Sequence, residues 1–138
     1  MGFSSLAEWL DWQASLHVKS IDLGLDRVGA VWRSLGAPNL GAAVISVAGT
    51  NGKGSSVAFC EAILQQAGYR CGAYTSPHLL RYNERIRIDG EPVEDQTICA
   101  AFERIERARA DVPLTYFEFG TLAALLIFAD ARLDAVVL

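Results

Sequence analysis

The sequence has few cysteines, no long apolar run and no excess of positive charge, and each shortage excludes a class of protein. Its three cysteines, Cys60, Cys71 and Cys99, are an odd number without a CxxC pair, which argues against a disulfide framework or a structural zinc site. The most apolar stretch, 119–129, is followed by Asp130 and is shorter than the roughly 18–20 residues that a membrane span needs. Twelve Lys and Arg against 16 Asp and Glu give a net charge of −4, so no overall positive field favours nucleic acid.

What the sequence does contain is enough apolar material for a folded domain. The chain has 138 residues, of which 51% are hydrophobic and 20% charged, and this composition suits one domain with its own core rather than a disordered protein. The first lysine, Lys19, follows a stretch studded with polar residues, which does not resemble a signal peptide. We therefore expect a soluble cytoplasmic protein with neither nucleic acid nor membrane as a partner.

The order of the predicted elements is that of an α/β protein. An opening helix starts at Ser5, whose spacing to Glu8 is that of a capping box, and Asp26 caps a second helix that ends at Gly36. The run 43–48, made of small and β-branched residues, predicts a strand covered on both faces. After it the pattern predicts a helix at 56–67, strands at 71–75 and 84–88 with a turn at 89–90, helices at 95–109 and 119–131, and a strand at 133–138. The sequence thus predicts a doubly wound, mostly parallel α/β sheet.

A glycine-rich segment, residues 49–55, lies directly between a predicted strand and a predicted helix. Such glycines let backbone N–H groups converge on a phosphate, and Lys53 adds a mobile charge for the β- and γ-phosphates. The strict phosphate-loop pattern is not met, because Val47 stands in place of a glycine and Gly54 in place of Ser or Thr. The hydroxyl that binds Mg²⁺ would then belong to Ser55 or Ser56. An ordinary glycine-rich turn with a chance lysine is the alternative.

Four segments of the chain, in order, resemble the folylpolyglutamate synthase/dihydrofolate synthase family of the Mur ligase superfamily. They are Ile-Asp-Leu-Gly-Leu-Asp-Arg-Val at 21–28, the glycine-rich loop at 47–55, Thr-Ser-Pro-His-Leu at 75–79 with Arg-Tyr-Asn-Glu-Arg-Ile at 81–86, and Thr-Tyr-Phe-Glu-Phe at 115–119. The resemblance covers essentially the whole chain. Four ordered motifs make it far more specific than any one of them alone.

This resemblance implies an ATP-dependent amide ligase. In the family, a pteroate or folate carboxylate attacks the γ-phosphate of ATP, and the amine of L-glutamate then displaces phosphate from the acyl phosphate. The product is dihydrofolate, an extended folate, or either. Another Mur-type acid–amino acid ligase and a nucleotide-binding module without turnover are the alternatives, and the folate motifs favour the first reading.

The same resemblance implies how the chain is organised. Residues 1–41 would be a helical preface and residues 42–138 part of a P-loop ATP-binding domain with the topology of the Mur ligase central domain. The family has a further metal-binding histidine, a carbamylated lysine and a smaller C-terminal domain downstream. We therefore expect a truncated, monomeric ATPase core that on its own binds weakly and forms no amide bond.

The resemblance also assigns roles to individual residues, with Lys53 as the catalytic one. The residues that would hold the ATP phosphates are Gly49, Thr50, Asn51, Gly52, Lys53, Gly54, Ser55 and Ser56. Those that would surround Mg²⁺ with hard oxygen ligands are Ser55, Ser76 and Glu118. Those that would shape the pteroate or folate pocket are Asp22, Leu23, Gly24, Leu25, Arg27, Pro77, His78, Asn83 and Arg85.

Local sequence offers each of these residues a simpler interpretation. Ser76 before Pro77 is a common start of a turn, and Glu118 opens a helix whose dipole it complements. His78 is typical of a hydrogen-bonded loop histidine, and we assign it no chemical step. Arg81, Arg85 and Arg87 are expected on one solvent-exposed face of a hairpin. The charged residues between Glu103 and Arg109 are expected to form surface ion pairs along a helix.

Overall fold

A computed structural model describes residues 2–16 and 24–138, which fall into two compact units. Unit 1 is built from the chain up to Asn39 and from Asp95–Ile127, and unit 2 from Leu40–Glu94 and Phe128–Leu138. Within the described ranges, no helix combines the length and the apolar composition that a membrane crossing requires.

Helices and strands follow one another as the sequence predicts. The helices are α1 (Leu6–Ser15), α2 (Asp26–Ser34), α3 (Lys53–Gln66), α4 (Asp95–Arg109) and α5 (Tyr116–Ala131), with a 3₁₀ turn at Tyr82–Arg85. The strands are β1 (Ala43–Ile45), β2 (Cys71–Tyr74), β3 (Ile86–Ile88), β4 (Glu91–Pro92) and β5 (Ala135–Val137). The bounds of α4 are those expected, whereas α3 begins at Lys53 rather than at residue 56 and α5 at Tyr116 rather than at residue 119.

The first two helices begin slightly differently from the prediction. Ser5 Oγ accepts a hydrogen bond from the Glu8 amide at 3.2 Å, as a cap should. The Glu8 carboxylate, however, accepts mainly from the amide and hydroxyl of Ser4, the residue before the cap, at 2.7 and 3.0 Å. The predicted cap Asp26 is instead the first residue of α2, and Leu25 occupies the N-cap position without a side-chain hydrogen bond.

Unit 1 is held together by an aromatic cluster. α1 and α2 both pack against α4. Trp9 is almost fully buried, with its ring 5.7 Å from that of Phe102, and the Phe102 ring lies 6.1 Å from Phe119. Trp12 meets Phe119 edge to face, and the Arg109 guanidinium lies 5.7 Å from the centre of the Trp12 ring. This cluster fixes the first turn of α5, which carries Glu118.

Unit 2 contains a mixed sheet of five strands in the order β1-β5-β2-β3-β4. β1, β5 and β2 are parallel, with Ile45 and Ala73 both level with Val137. β3 and β4 are antiparallel and form a hairpin through Asp89 and Gly90, both of which have a positive φ. The α/β class is confirmed, and the sheet is parallel only in its first three strands.

The prediction that the strand at 43–48 is covered on both faces is wrong. β1 spans only 43–45, and all three of its residues are exposed. β1 is an edge strand with β5 as its single neighbour, and α3 packs mainly on β2 and β5 rather than on β1. Small and β-branched residues mark the strand but do not distinguish an edge strand from a central one.

Candidate active site

The glycine-rich loop connects β1 to α3 with a backbone that requires glycine at two positions. Gly49 has φ 148° and Gly52, the N-cap of α3, has φ 77° in the left-handed region. Lys53 Nζ donates a hydrogen bond to the Gly49 carbonyl, so the side chain lies back across the loop. The first amides of a helix have no acceptor within it, and here they belong to Lys53, Gly54 and Ser55. The loop therefore presents backbone donors and one ammonium group, as an anion site requires.

Gly54 differs from the other two glycines of the loop. It lies in the first turn of α3, its φ is not positive, and a Cβ built on it would meet no atom within 4 Å. The chain itself therefore does not require glycine at this position. Because Gly54 has no side chain and faces open space in the first turn of α3, a ligand has room to approach the backbone there.

A second loop, following β2, reaches the same edge of the unit 2 sheet. Because β1, β5 and β2 are parallel, the loops that follow β1 and β2 both leave the carboxyl edge. Ser76 is exposed in this second loop and is joined to Pro77 by a cis peptide bond. The structure thus brings Lys53, Ser55 and Ser76 to one edge of one sheet.

Glu84 holds this second loop in place. Its carboxylate accepts three backbone hydrogen bonds, from the amides of Leu79, Leu80 and Arg81, at 2.8, 3.0 and 2.8 Å. These bonds stabilise the charged carboxylate, and they lower the pKa of Glu84 below its usual value of 4.5. Leu79 and Leu80 are each 90% exposed, so this carboxylate, and not burial of the two leucines, holds the part of the loop that they form.

Acid should therefore loosen the second loop. A carboxyl whose pKa is lower in the folded state contributes stability above its unfolded pKa, and loses it as pH falls through the folded value. We expect the amides of Leu79, Leu80 and Arg81 to lose hydrogen-exchange protection together below about pH 4.5, and Glu84→Gln to weaken their protection at neutral pH. Exchange followed by NMR measures this. Glu91→Gln, an exposed change on β4, is the control, and unchanged protection in Glu84→Gln would contradict the assignment.

Two of the pocket residues predicted in the second loop, His78 and Arg85, contact each other. Arg85 Nε donates to His78 Nδ1 at 2.8 Å, which is the hydrogen-bonded histidine that the sequence indicates. The rings of His78 and Tyr82 lie 5.8 Å apart, and the Arg85 guanidinium is 5.3 Å from the centre of the Tyr82 ring. Asn83 is buried, and its Nδ2 donates to the Val93 carbonyl at 2.8 Å.

In unit 1 the structure pairs a residue assigned to the pteroate pocket with one assigned to the metal. Arg27 Nη2 lies 3.1 Å from both carboxylate oxygens of Glu118, and its Nε lies 3.4 Å from Oε1. Glu118 Oε1 also accepts from the Thr115 amide at 3.0 Å, while the Glu118 amide donates to Thr115 Oγ1, which completes a capping box. Gly24 and Leu25 are exposed, whereas Asp22 and Leu23 lie outside the described residues.

The oxygen donors assigned to Mg²⁺ suit that ion. Hydroxyls and a carboxylate are hard ligands, and Mg²⁺ commonly takes only one or two carboxylates together with substrate phosphates and water. Ser55 and Ser76 are exposed, and Glu118 Oε2 accepts only one of the hydrogen bonds above, which leaves it a lone pair. No cluster of three or more His, Cys, Asp or Glu side chains that could hold a metal occurs in the described part of the chain.

Sequence reasoning missed an ion pair beneath the two loops. Arg87, expected on a solvated hairpin face, is instead mostly buried and bonded to Glu61 of α3 and to Thr75. That expectation is wrong because β3 packs the arginine toward α3 rather than toward solvent. The spacing of 26 residues between Glu61 and Arg87 carries no local signal that could have revealed the pair.

A glycine-rich loop between a parallel strand and a helix, with a hydroxyl-bearing loop at the same sheet edge, is the arrangement of α/β proteins that bind phosphate groups. No protein-family model matches the chain, but individual proteins do. Over 135 residues it is 50% identical to the dihydrofolate synthase/folylpolyglutamate synthase of Escherichia coli K12, covering 98% of this chain and 32% of that enzyme. By sequence and fold, the chain is a partial homologue of the dihydrofolate synthase/folylpolyglutamate synthase family, and the resemblance of its motifs is confirmed.

Solved structures support the same relationship. The structure of E. coli FolC in complex with DHPP and ADP matches with a TM-score of 0.92 and 50% identity, over 97% of this chain and 32% of that one. A bifunctional folylpolyglutamate synthase/dihydrofolate synthase with Mn, AMPPNP and L-glutamate bound matches with a TM-score of 0.91 and 47% identity, over 97% of this chain and 32% of that one. The chain thus spans about a third of the length of the relatives that it matches.

Proposed function

We propose that this chain provides the nucleotide-binding part of an ATP-dependent ligase that joins L-glutamate to dihydropteroate, to folates or to both. The observation that carries the proposal is the glycine-rich loop, whose Gly49 and Gly52 conformations, open Gly54 and helix N-terminus suit a phosphate. The relatives support it further, since the two structures above hold ADP with DHPP, and AMPPNP with Mn and L-glutamate.

The nucleotide phosphates would lie over the N-terminus of α3. The amides of 50–55 would donate to phosphate oxygens, and Ser56 would complete the set. Lys53 Nζ would leave the Gly49 carbonyl and contact the β- and γ-phosphates, where it neutralises charge that develops as the γ-phosphoryl group is transferred. This role of Lys53 is electrostatic, so no side chain of the loop has to act as a nucleophile.

Ser55, Ser76 and Glu118 would hold the divalent ion. When bound, Mg²⁺ supplies positive charge that shields the phosphate oxygens during transfer. The two hydroxyls belong to loops at the carboxyl edge of the unit 2 sheet, and the carboxylate belongs to the first turn of α5 in unit 1. The relative with Mn and AMPPNP bound supports a divalent ion together with ATP.

The residues that would form the pteroate or folate pocket belong to the two remaining motifs. Gly24, Leu25 and Arg27, with Asp22 and Leu23, would contribute from one segment, and the second loop would contribute Pro77, His78, Asn83 and Arg85. The bonded trio of His78, Tyr82 and Arg85 supports a rigid surface there rather than a mobile one. The carboxylate of the acceptor would attack the γ-phosphate, and the glutamate amine would then displace phosphate.

Titration of MgADP into the chain, followed by calorimetry, tests the phosphate site. We expect Lys53→Ala to weaken binding about tenfold, because it removes one charge-assisted contact. Arg132→Gln is the matched control, since it removes one exposed positive charge before the amino end of β5, at the opposite edge of the same sheet. Equal affinities for Lys53→Ala and the control would refute the phosphate-loop assignment.

A nucleotide-binding module without turnover and another Mur-type ligase remain the alternatives. Binding without any product that depends on both glutamate and ATP, in the longest native form of the protein, would favour the module. Product formed with an acid other than a pteroate or folate would favour the second alternative. A doubly wound P-loop topology, the division into 1–41 and 42–138, a monomeric state and a cytoplasmic location belong to the same proposal.

A further inference from the structure

The guanidinium of Arg87 ties together three segments of unit 2. Its Nε and Nη2 donate to the two carboxylate oxygens of Glu61 on α3, at 3.2 and 2.7 Å. Its Nη1 donates to Thr75 Oγ1 at 3.0 Å and to the Glu84 carbonyl at 2.6 Å. One side chain on β3 thus bonds to the helix of the first loop and to both ends of the second loop.

The pair between Glu61 and Arg87 is mostly buried. The Glu61 side chain is 8% exposed and that of Arg87 is 19% exposed. A buried ion pair is weak evidence for stability, because apolar residues of similar volume often serve as well. The pair does fix the relative positions of its partners, because the planar guanidinium group of an arginine holds a carboxylate and further acceptors in one plane.

Two of the three partners of Arg87, Glu61 and Thr75, belong to the segments that carry the hydroxyls assigned to the metal. Glu61 follows Ser55 on the same helix by six residues, a rise of about 9 Å. Thr75 directly precedes Ser76, and the Thr75 amide donates to the Arg85 carbonyl at 3.0 Å. Movement of Arg87 would therefore alter the placement of Ser76 relative to Ser55.

We propose that Arg87 is a positioning residue that, held by Glu61 and bonded to Thr75, sets the separation of the Ser55 and Ser76 hydroxyls for a divalent ion bound with nucleotide. The inference rests on the proposed function. It separates two tasks: Lys53 contributes to nucleotide affinity with or without the metal, whereas Arg87 and Thr75 contribute only to the gain in affinity that the metal brings.

The experiment compares the dissociation constant of AMPPNP in EDTA with that of Mn-AMPPNP, whose ratio is the metal-dependent gain. Thr75→Val removes one hydroxyl at nearly constant volume and keeps the ion pair, so it should fold. We expect Thr75→Val to reduce the metal-dependent gain about tenfold, which is the small end of the effects expected when a residue that supports a metal ligand is replaced. The dissociation constant of AMPPNP in EDTA should change by no more than about twofold. Thr75→Ser should restore the gain, and Arg87→Lys should lose it as Thr75→Val does.

Two controls separate the possible outcomes. Thr97→Val, at an exposed position on α4, should change neither constant, and Lys53→Ala should weaken both. If the unsubstituted chain shows no metal-dependent gain, the positioning role is overturned. The same holds if Thr75→Val and Arg87→Lys leave the gain unchanged. Neither result bears on the proposed function. An equal loss of metal-free and metal-bound affinity in Thr75→Val also overturns the positioning role, because it would indicate a general structural effect. Nucleotide binding that does not depend on Lys53 overturns the proposed function, and the inference with it.

Discussion

Replacing Gly72 with alanine is expected to lower the free energy of unfolding by about 2–3 kcal/mol, within the range of overpacking in a well-packed core. Gly72 is buried in β2, and a Cβ there would lie 2.7 Å from Leu133 Cδ1 and equally close to two ring carbons of Phe128. Contacts this short force neighbouring atoms to move. The Leu133 methyl is the free end of a flexible side chain, but the Phe128 ring is fully buried and has little room to shift.

The predicted loss of stability arises from crowding beside Gly72. A second substitution that makes room there should therefore restore part of the stability, and a Gly→Ala change at an uncrowded position serves as the control. Phe128→Leu in the Gly72→Ala background should recover part of the loss, because a smaller side chain then meets the new methyl group. Gly29→Ala on α2 should be neutral or slightly stabilising, since its Cβ would meet its nearest atom, of Arg33, only at 3.5 Å. Urea denaturation followed by far-ultraviolet circular dichroism measures all four proteins. A Gly72→Ala protein as stable as the original would contradict the packing described for β2.

Elements that depend on local pattern were predictable. α4 has the predicted bounds because its apolar residues, among them Ile98, Phe102 and Ile105, recur at helical spacing and are all buried. The turn at Asp89 and Gly90 was also readable, since these residue types tolerate the positive φ that a tight hairpin needs. Such signals lie within a few residues of each other and need no knowledge of the rest of the fold.

Features set by tertiary neighbours were not predictable. The composition of β1 predicts a buried strand, but its exposure follows from its place in the sheet order, which no local pattern encodes. α3 begins at Lys53 because Gly52 adopts a left-handed conformation, and the periodicity of its apolar residues starts only at Val57. The apolar pattern therefore misses the first turn of this helix, and of the apolar residues in the pattern only Val57 is buried, while Ile63 is 67% exposed.

The candidate site divides in the same way. The glycine-rich loop is continuous in sequence, so its residues and its place between a strand and a helix were evident. The pairs that organise the surrounding residues join positions far apart along the chain: Arg27 with Glu118, and Arg87 with Glu61. Sequence could name Arg27 and Glu118 as functional candidates through the resemblance, but it could not show that they contact each other.

Loss of the Arg27 side chain should be among the most damaging single changes in unit 1. The side chains of Arg27 and Glu118 are 16% and 12% exposed, so Arg27→Ala leaves a mostly buried carboxylate with the Thr115 amide as its principal donor. We expect a loss of about 3 kcal/mol in the free energy of unfolding, as for other buried pairs that lose one member. Arg27→Lys should lose less, because it keeps the charge but not the fork that spans both oxygens.

A double-mutant cycle with Arg27→Ala and Glu118→Gln isolates the interaction itself. Glu118→Gln keeps an oxygen for the Thr115 amide and removes the charge, so the double variant should be more stable than the sum of the single losses predicts, by about 1–3 kcal/mol. Glu103 and Arg107 on α4 form the matched control, an exposed pair at 3.7 Å whose coupling should stay below about 0.5 kcal/mol. If the coupling between Arg27 and Glu118 is no larger than that of the control pair, Arg27 does not hold Glu118. Its proposed role would then be confined to the pteroate or folate pocket. Strong coupling would instead make Arg27 the residue that orients the carboxylate assigned to the metal.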